Sequence, residues 1–258
     1  MNIIIDGKTC SCELGEYLLP IAKRNGIFIP TLCYHEGLGS LGACRVCIVE
    51  VVQNGDSKVV VSCVYPVEEG IEVFTASDKI KEQRGVVLTL LARLAPNAKV
   101  IKQMADFAGV DIARLTDKEG GDTCVLCGRC TTACNLVGAG AIAKVSRGTT
   151  KEINTPYGAS SSECIGCASC AHVCPTDSIP YAESETQVTI WGKTFDLQRC
   201  EQCGKPISTD ELIINAAHKT DGGVVGVAGE VAAKDAAVLC TECRRVAVAD
   251  KVRQGVKL

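Results

Sequence analysis

Short runs of β-branched residues, separated by turn residues, dominate positions 1–78 of the chain. Asn54-Gly55, between two of these runs, is typical of a two-residue hairpin turn. Glu16–Asn25 has the spacing of one amphipathic helix, which Gly26 ends. The pattern predicts a small mixed sheet with a helix across it. The runs are Ile3–Ile5, Val46–Val52, Val59–Val61 and Ile71–Phe74.

Residues 79–119 change to the helical period and contain no cysteine. Apolar side chains recur there at spacings compatible with one helix face, and Pro96 ends that helix. A second helix is predicted over Ala98–Ala108, stopping at Gly109. We interpret this segment as a helical linker. The apolar positions of the first helix are Ile80, Val87, Leu88, Leu91 and Leu94.

The remaining residues are organised around cysteines. Within residues 120–182, Cys124–Cys134 and Cys164–Cys174 share the spacing C-x2-C-x2-C-x3-C, an internal repeat. Residues 183–258 hold two CxxC pairs separated by a Gly/Ala/Val-rich segment. The chain is therefore predicted to have an α+β fold with four modules: 1–78, 79–119, 120–182 and 183–258.

The 18 cysteines stand out in a composition that is otherwise globular. A net charge of −3 argues against a nucleic-acid footprint. Secreted disulfide scaffolds are typically short chains without stacked CxxC runs, and Met1–Gly7 lacks the segments of a signal peptide. No apolar run approaches the roughly 20 residues that span a bilayer. We expect metal-bound thiolates in a reducing cytoplasm, with no direct membrane insertion.

The repeated run is the pattern of two 4Fe–4S clusters. Three thiolates come from a tight loop, and in two-cluster ferredoxins the fourth cysteine of each run binds the other cluster. Zinc is disfavoured because the doubled run is specific to such cubanes. The spacing assigns Cys124, Cys127, Cys130 and Cys174 to one cubane, and Cys164, Cys167, Cys170 and Cys134 to the other.

A third set, Cys33, Cys44, Cys47 and Cys63, has the spacing C-x10-C-x2-C-x15-C. Two pairs of thiolates suffice for a 2Fe–2S cluster, but the first gap is longer than in plant-type ferredoxins. The glycines at 37, 39 and 42 let the loop wrap a cluster. On spacing alone, zinc stays open as an alternative.

Residues 27–52, from Ile27 through Cys33, Cys44 and Cys47 to Val52, closely resemble the N-terminal 2Fe–2S domain of complex I's largest iron–sulfur subunit. The same domain occurs in FeFe hydrogenases and in the small diaphorase subunit of NAD-linked hydrogenases. Ser62–Gly70 matches the family's fourth-ligand segment, and the two cysteine runs match its double-cubane part. Over residues 1–182 the resemblance implies a β-grasp 2Fe–2S ferredoxin domain, a helical linker and a double-cubane ferredoxin-like domain.

The chain departs from this family at one point. The family usually carries a further cubane, held by one His and three Cys, between these two parts. Its His-Pro-x-x-Cys motif falls where this chain has Ala95-Pro96-Asn97-Ala98, and residues 64–123 contain no His or Cys. We expect that cluster to be absent.

The C-terminal cysteines, Cys200/Cys203 and Cys240/Cys243, resemble two zinc-ribbon knuckles. Tetrahedral zinc bound by four thiolates favours such paired turns, so a small zinc-ribbon-like module is predicted. A further 4Fe–4S cluster and free thiols remain the alternatives.

Several other signals are interpreted as non-functional. Gly138–Ala143 fits G-x-G-x-x-A but lacks a preceding strand, so no nucleotide site is expected. The cysteine sets are complete without the histidines, which are His35, His172 and His218. Cys10 and Cys12, in a strand-like stretch, are interpreted as packing thiols.

A chain with several clusters and no substrate-binding motif is typical of a protein through which electrons pass. The reaction with substrate is then expected in another subunit. We expect an electron-transfer subunit with no active site of its own, in an NAD(P)- or ferredoxin-linked hydrogenase or formate dehydrogenase complex. Its partners would be a flavoprotein that oxidises NAD(P)H and a hydrogenase or formate dehydrogenase catalytic subunit. One alternative is a freely diffusing multi-cluster ferredoxin. The other is a stand-alone catalytic subunit, and the missing flavin and nucleotide motifs disfavour this one.

Overall fold

The computed structural model describes residues 1–213, 239–240, 242–243 and 246. Contacts divide the chain into two compact units. The first comprises Met1–Ala133 and Val173–Ser178, and the second Cys134–His172 and Ile179–Leu258. Within the described residues, no helix is both long and apolar enough to cross a membrane.

The first unit contains a five-stranded mixed sheet in the order β2-β1-β5-β3-β4. β1 and β5 are parallel, and the other neighbours are antiparallel. The helix α1 (Leu18–Arg24) buries its apolar face in the core of this sheet, confirming the predicted mixed sheet with a helix across it. The strands are β1 (Asn2–Ile5), β2 (Lys8–Ser11), β3 (Ile48–Gln53), β4 (Asp56–Val61) and β5 (Glu72–Phe74).

The hairpin between β3 and β4 turns at Asn54 and Gly55, whose φ angles of 52° and 85° are both positive. A two-residue turn of this kind requires left-handed conformations, which Asn and Gly adopt readily. The predicted hairpin is confirmed, but β3 begins at Ile48 rather than Val46. Val46 and Cys47 belong instead to the turn that follows Cys44.

Two helices follow the sheet: α2 (Asp78–Leu94) and α3 (Lys99–Ala108). The Ser77 hydroxyl caps α2 by accepting from Ile80 N, and Gly109 ends α3 with a left-handed φ of 67°. Both predicted helices are confirmed. They pack in one buried cluster with the loops that carry Cys33, Cys44 and Cys127.

The helix α4 (Arg129–Val137) carries the last two cysteines of the first run. β6 (Ala143–Val145) pairs antiparallel with β7 (Glu152–Asn154), and the short α5 (Ser169–His172) lies in the second run. A four-stranded antiparallel sheet follows in the order β11-β10-β9-β8. Its strands are β8 (Tyr181–Glu183), β9 (Gln187–Ile190), β10 (Lys193–Arg199) and β11 (Pro206–Thr209).

This second sheet was not anticipated from the sequence, which predicted a zinc-ribbon-like module over residues 183–258. The strands are short and their apolar alternation is weak, so the CxxC pairs gave the stronger signal. Cys200 directly follows β10, and Cys203 lies in the turn before β11. The first CxxC pair is therefore built into a hairpin end, and the ribbon as a whole stays a prediction.

Candidate metal centres

The four cysteines of the first set are buried together in the first unit, each with at most 5% of its surface exposed. They interact in two pairs. The Cys44 thiol lowers the pKa of Cys33 to about 5 by hydrogen bonding to it, and its own pKa is raised by the same contact. Cys63 does the same for Cys47, whose pKa falls to about 6. The arrangement thus presents two pairs of cysteine sulfurs, the number of ligands that a two-iron cluster requires.

The backbone around Cys47 is fixed by a buried cation. Arg84, from α2, donates to Val46 O at 3.1 Å, Ile48 O at 2.8 Å and Thr75 O at 3.0 Å. The Ser62 hydroxyl donates to Cys47 O at 2.8 Å. Burial lowers the pKa of the Arg84 guanidinium. The loop that carries Cys47 is therefore held by side chains outside the cysteine motif.

Cys124, Cys127 and Cys130 come together with Cys174 in the first unit. Burial, with a smaller contribution from the nearby Cys174, raises the pKa of Cys124, Cys127 and Cys130, to about 12 for Cys130. Backbone amides point at sulfur: Leu126 N donates to Cys124 Sγ and Ser178 N to Cys174 Sγ, both at 3.4 Å. These N–H groups favour a negatively charged sulfur.

The second set, Cys164, Cys167, Cys170 and Cys134, comes together in the second unit. All four line one pocket, whose other walls include Ile142, Ile190 and Trp191. Burial raises the pKa of Cys170 to about 11. Cys134 thus lies with Cys164, Cys167 and Cys170. The binding of a cubane by each crossed set stays a prediction.

The internal repeat extends to the backbone. Leu126 and Gly166 occupy matching positions and have φ angles of 51° and 68°. Gly128 and Ala168 also match, with φ angles of 85° and 53°. Two left-handed residues per run turn the chain so that three successive sulfurs face one point.

The glycine-rich segment after α4 has a structural explanation. Gly138 and Gly140 have φ angles of 84° and 61°, and their N–H groups bond to Cys134 O. This turn brings Ala141 N to within 3.2 Å of Cys134 Sγ. The segment ends a helix and delivers an amide to sulfur.

The second sheet contacts the loop that holds Cys164–Cys170, through residues that sequence analysis missed. Lys193 Nζ donates to Cys164 O at 3.1 Å, and the Thr209 hydroxyl donates to Ile165 O at 2.5 Å. A Cβ at Gly166 would lie 2.7 Å from the Phe195 ring. The available signal was Trp191-Gly192 between two short runs, which is compatible with a hairpin turn.

The C-terminal cysteines form a compact group. The sulfurs of Cys200, Cys203, Cys240 and Cys243 all lie within 4.8 Å of one another, and those of Cys203 and Cys240 are 3.7 Å apart. Cys240 N donates to Cys200 Sγ at 3.4 Å, and this bond lowers the pKa of Cys200 to about 6. An ion pair between Lys205 and Glu242 links the two CxxC turns at 2.9 Å.

The other cysteines and histidines lie elsewhere. Cys10 and Cys12 are buried in the core of the first sheet. His35 Nδ1 accepts from Gly37 N at 3.2 Å, and His172 packs edge-on against Tyr181, with ring centroids 5.3 Å apart. His218 lies outside the described residues.

Asn97 stands where the related family has a cluster ligand motif. Its side-chain amide donates to Lys118 O at 2.9 Å and Gly121 O at 2.8 Å, and its oxygen accepts from Lys118 N at 3.0 Å. In this chain the position therefore anchors a loop through hydrogen bonds.

Residues 1–78 match the family model described as a 2Fe-2S iron-sulfur cluster binding domain, and residues 123–178 match the 4Fe-4S dicluster domain. The chain thus contains an N-terminal 2Fe–2S domain and a 4Fe–4S dicluster domain, as the sequence motifs predicted.

Curated relatives are subunits of redox complexes. NADP-reducing hydrogenase subunit HndD of Solidesulfovibrio fructosivorans is 32% identical over 212 residues, covering 69% of this chain and 36% of the relative. The alpha subunit of an NADPH-Fe(3+) oxidoreductase of Geobacter sulfurreducens is 28% identical over 228 residues, covering 79% and 26%. The mitochondrial 78 kDa subunit of NADH-ubiquinone oxidoreductase of Neurospora crassa is 30% identical over 184 residues, covering 60% and 24%. This chain spans about a third or less of the length of these relatives.

A solved structure shares the fold. A chain in the crystal structure of an NAD+-reducing NiFe hydrogenase in the H2-reduced state matches with a TM-score of 0.57 at 21% identity. The match covers 69% of this chain and 85% of that one.

Proposed function

We propose that this chain relays single electrons within a multisubunit NAD(P)H-linked oxidoreductase. The observation that carries the proposal is the gathering of 12 cysteines into three buried or half-buried sets of four, in domains whose families bind iron–sulfur clusters. Bound clusters would supply reversible one-electron chemistry. The protein would exclude water, bring the four thiolates of each set together and direct backbone N–H groups at their sulfurs.

One 2Fe–2S cluster is assigned to Cys33, Cys44, Cys47 and Cys63. The contact of Cys33 with Cys44, and of Cys47 with Cys63, supports one pair per iron. The cubanes are assigned as two crossed sets: Cys124, Cys127, Cys130 and Cys174, then Cys164, Cys167, Cys170 and Cys134.

Zinc is proposed for Cys200, Cys203, Cys240 and Cys243. Zn–S bonds of about 2.3 Å in a tetrahedron place sulfurs about 3.8 Å apart. The 3.7 Å between Cys203 and Cys240 fits this geometry. A cubane places its four thiolates on four separate irons and spreads them further, so the compact group favours one metal ion.

The proposed partners are a flavoprotein that oxidises NAD(P)H and a catalytic subunit that consumes or delivers electrons. The names of the relatives support the hydrogenase and NAD(P)H parts of this proposal. Formate dehydrogenase stays an alternative catalytic partner that the names of the relatives do not support. The cytoplasm is the proposed location because thiolate-bound clusters require a reducing setting.

Metal analysis tests the proposal. The anaerobically purified chain should contain about ten irons, two plus four plus four, and one zinc. It should take up and release electrons without oxidising NADH, hydrogen or formate at an enzyme-like rate. Turnover by the isolated chain would refute the relay, and about six irons would remove one assigned cubane.

A freely diffusing ferredoxin-like carrier is the second candidate. Native purification separates the two, because a subunit copurifies in fixed ratio with a flavoprotein and a carrier elutes alone.

A further inference from the structure

Trp191 lies at the tip of the hairpin between β9 and β10. Ile190 pairs with Lys193, so Trp191 and Gly192 form a two-residue turn with φ angles of 52° and 72°. A bulky side chain rarely adopts a left-handed backbone conformation. Asn or Asp would normally occupy this position, so the tryptophan calls for a reason outside the turn.

The indole of Trp191 faces the second cubane set. It lines the same pocket as Cys134, Cys164, Cys167 and Cys170. Its Nε1 is buried and has no hydrogen-bond partner of normal geometry among the described residues. The Cys170 sulfur lies within its reach in that pocket. A buried donor without a partner costs free energy unless something in the pocket accepts from it.

We infer that the indole N–H of Trp191 donates a hydrogen bond to the Cys170 thiolate of the second cubane and raises the reduction potential of that cluster. The inference rests on the proposed function, because it requires a cubane at this site. Reduction adds one electron and one negative charge, and no bond to the protein forms or breaks. A donor aimed at sulfur stabilises the more negative state, so the reduced form gains more.

The surrounding contacts hold the indole in place. Lys193, next in the hairpin, bonds to Cys164 O and lies 4.4 Å from the centroid of the Phe195 ring. Phe195 in turn packs against Gly166, inside the cysteine loop. The second sheet therefore presents Trp191 from a position anchored on the ligand loop, and that sheet becomes part of the cluster's environment.

The experiment uses the full chain, loaded with clusters anaerobically and grown with indole-15N tryptophan. Because the chain contains one tryptophan, any 15N coupling in pulsed EPR belongs to Trp191. The signal of the second cubane is the one altered by Cys167→Ser and not by Cys127→Ser. We expect that signal to show 15N coupling.

Trp191→Phe keeps the aromatic bulk and removes the donor. It should shift the ratio of reduced to oxidised second cubane about tenfold towards oxidised at fixed potential, or about 59 mV for one electron. Thr194→Val, on the same hairpin, should leave the potential unchanged. An intact second cubane without 15N coupling in the wild-type chain overturns this inference alone, whatever the variants do. Iron analysis showing no cubane at Cys134, Cys164, Cys167 and Cys170 overturns the proposed function together with it.

Discussion

Arg84 is the clearest example of a single side chain that organises a ligand loop. Its guanidinium is buried and serves three backbone carbonyls, two of which flank Cys47. Charged hydrogen bonds of this kind compensate the desolvation of the cation, and removal of the donor leaves buried oxygens without a partner.

Arg84→Met should therefore destabilise the first unit by about 3 kcal/mol or more. The same change should broaden the EPR signal of the 2Fe–2S cluster, because the Cys47 loop loses its support. Arg93→Met, an exposed arginine of the same helix, is the matched control and should shift the unfolding midpoint little. Equal midpoints for the two variants would contradict the role of Arg84.

Cys174 tests the crossed ligation. It is the last cysteine of the second run but lies near Cys124, Cys127 and Cys130. Cys174→Ser should perturb the cubane of those three residues and leave the cubane of Cys164, Cys167 and Cys170 intact, as judged by EPR. Damage confined to the latter would show that each run binds its own cluster.

At the scale of elements, the second sheet and the second cysteine loop are in contact at a glycine. Gly166 has a φ of 68°, and an added Cβ would lie 2.7 Å from Phe195 and 2.8 Å from Thr209. A side chain at Gly166 would therefore destabilise the fold in two ways, through backbone strain and through overlap with the second sheet.

Gly166→Ala should destabilise the second unit and lower the occupancy of its cubane, measured by iron content and thermal unfolding. Gly158→Ala is the matched control, because Gly158 has a φ of 69° with no atom within 4 Å of the added Cβ. The control should cost only the left-handed strain, about 1–2 kcal/mol. Equal losses in the two variants would mean that the contact with the sheet contributes nothing.

The two CxxC turns are the other element whose role can be isolated. Zinc bound by four thiolates is redox-silent and contributes binding energy to local folding. Replacing Cys200 and Cys203 by serine should release the zinc and increase protease sensitivity in the two CxxC turns, while all three cluster signals survive. Loss of an EPR signal in this variant would instead indicate a cubane.

On the scale of the whole molecule, the proposed relay has a site that can be interrupted. Cys33, beside Cys44 in the 2Fe–2S set, also lies near Cys127 of the first cubane, within the same buried cluster. Electrons can pass between the 2Fe–2S site and the first cubane without movement of the protein, because both sites lie in one packed core. Loss of the 2Fe–2S site should therefore interrupt the transfer.

In the assembled complex, Cys44→Ser should reduce electron transfer between the partner subunits at least about tenfold, because the 2Fe–2S site is disabled. Activity of each partner with artificial dyes should be unchanged and serves as the control. Unimpaired transfer between the partners would show that the 2Fe–2S domain lies outside the productive path.

Local sequence determined the cluster loops and the elements beside them. The x2-x2-x3 spacing is short enough that three sulfurs must converge, and Asn54-Gly55 and Gly109 carry the conformations that end a strand and a helix. These features depend on neighbours a few residues apart, so the spacing and the residue types were enough to predict them. The repeat likewise indicated the crossed fourth ligands, Cys134 and Cys174, by analogy with a known motif.

Tertiary structure alone decided what surrounds those loops. Arg84 reaches the Cys47 turn across 36 and 38 residues, and Lys193 reaches Cys164 across 29. The approach of Trp191 to Cys170 is of the same kind. The sequence around a lysine, an arginine or a tryptophan does not indicate which distant backbone group or sulfur its side chain will contact. Such contacts form only when separate elements pack, which is why they became visible in the folded chain and not in the motifs.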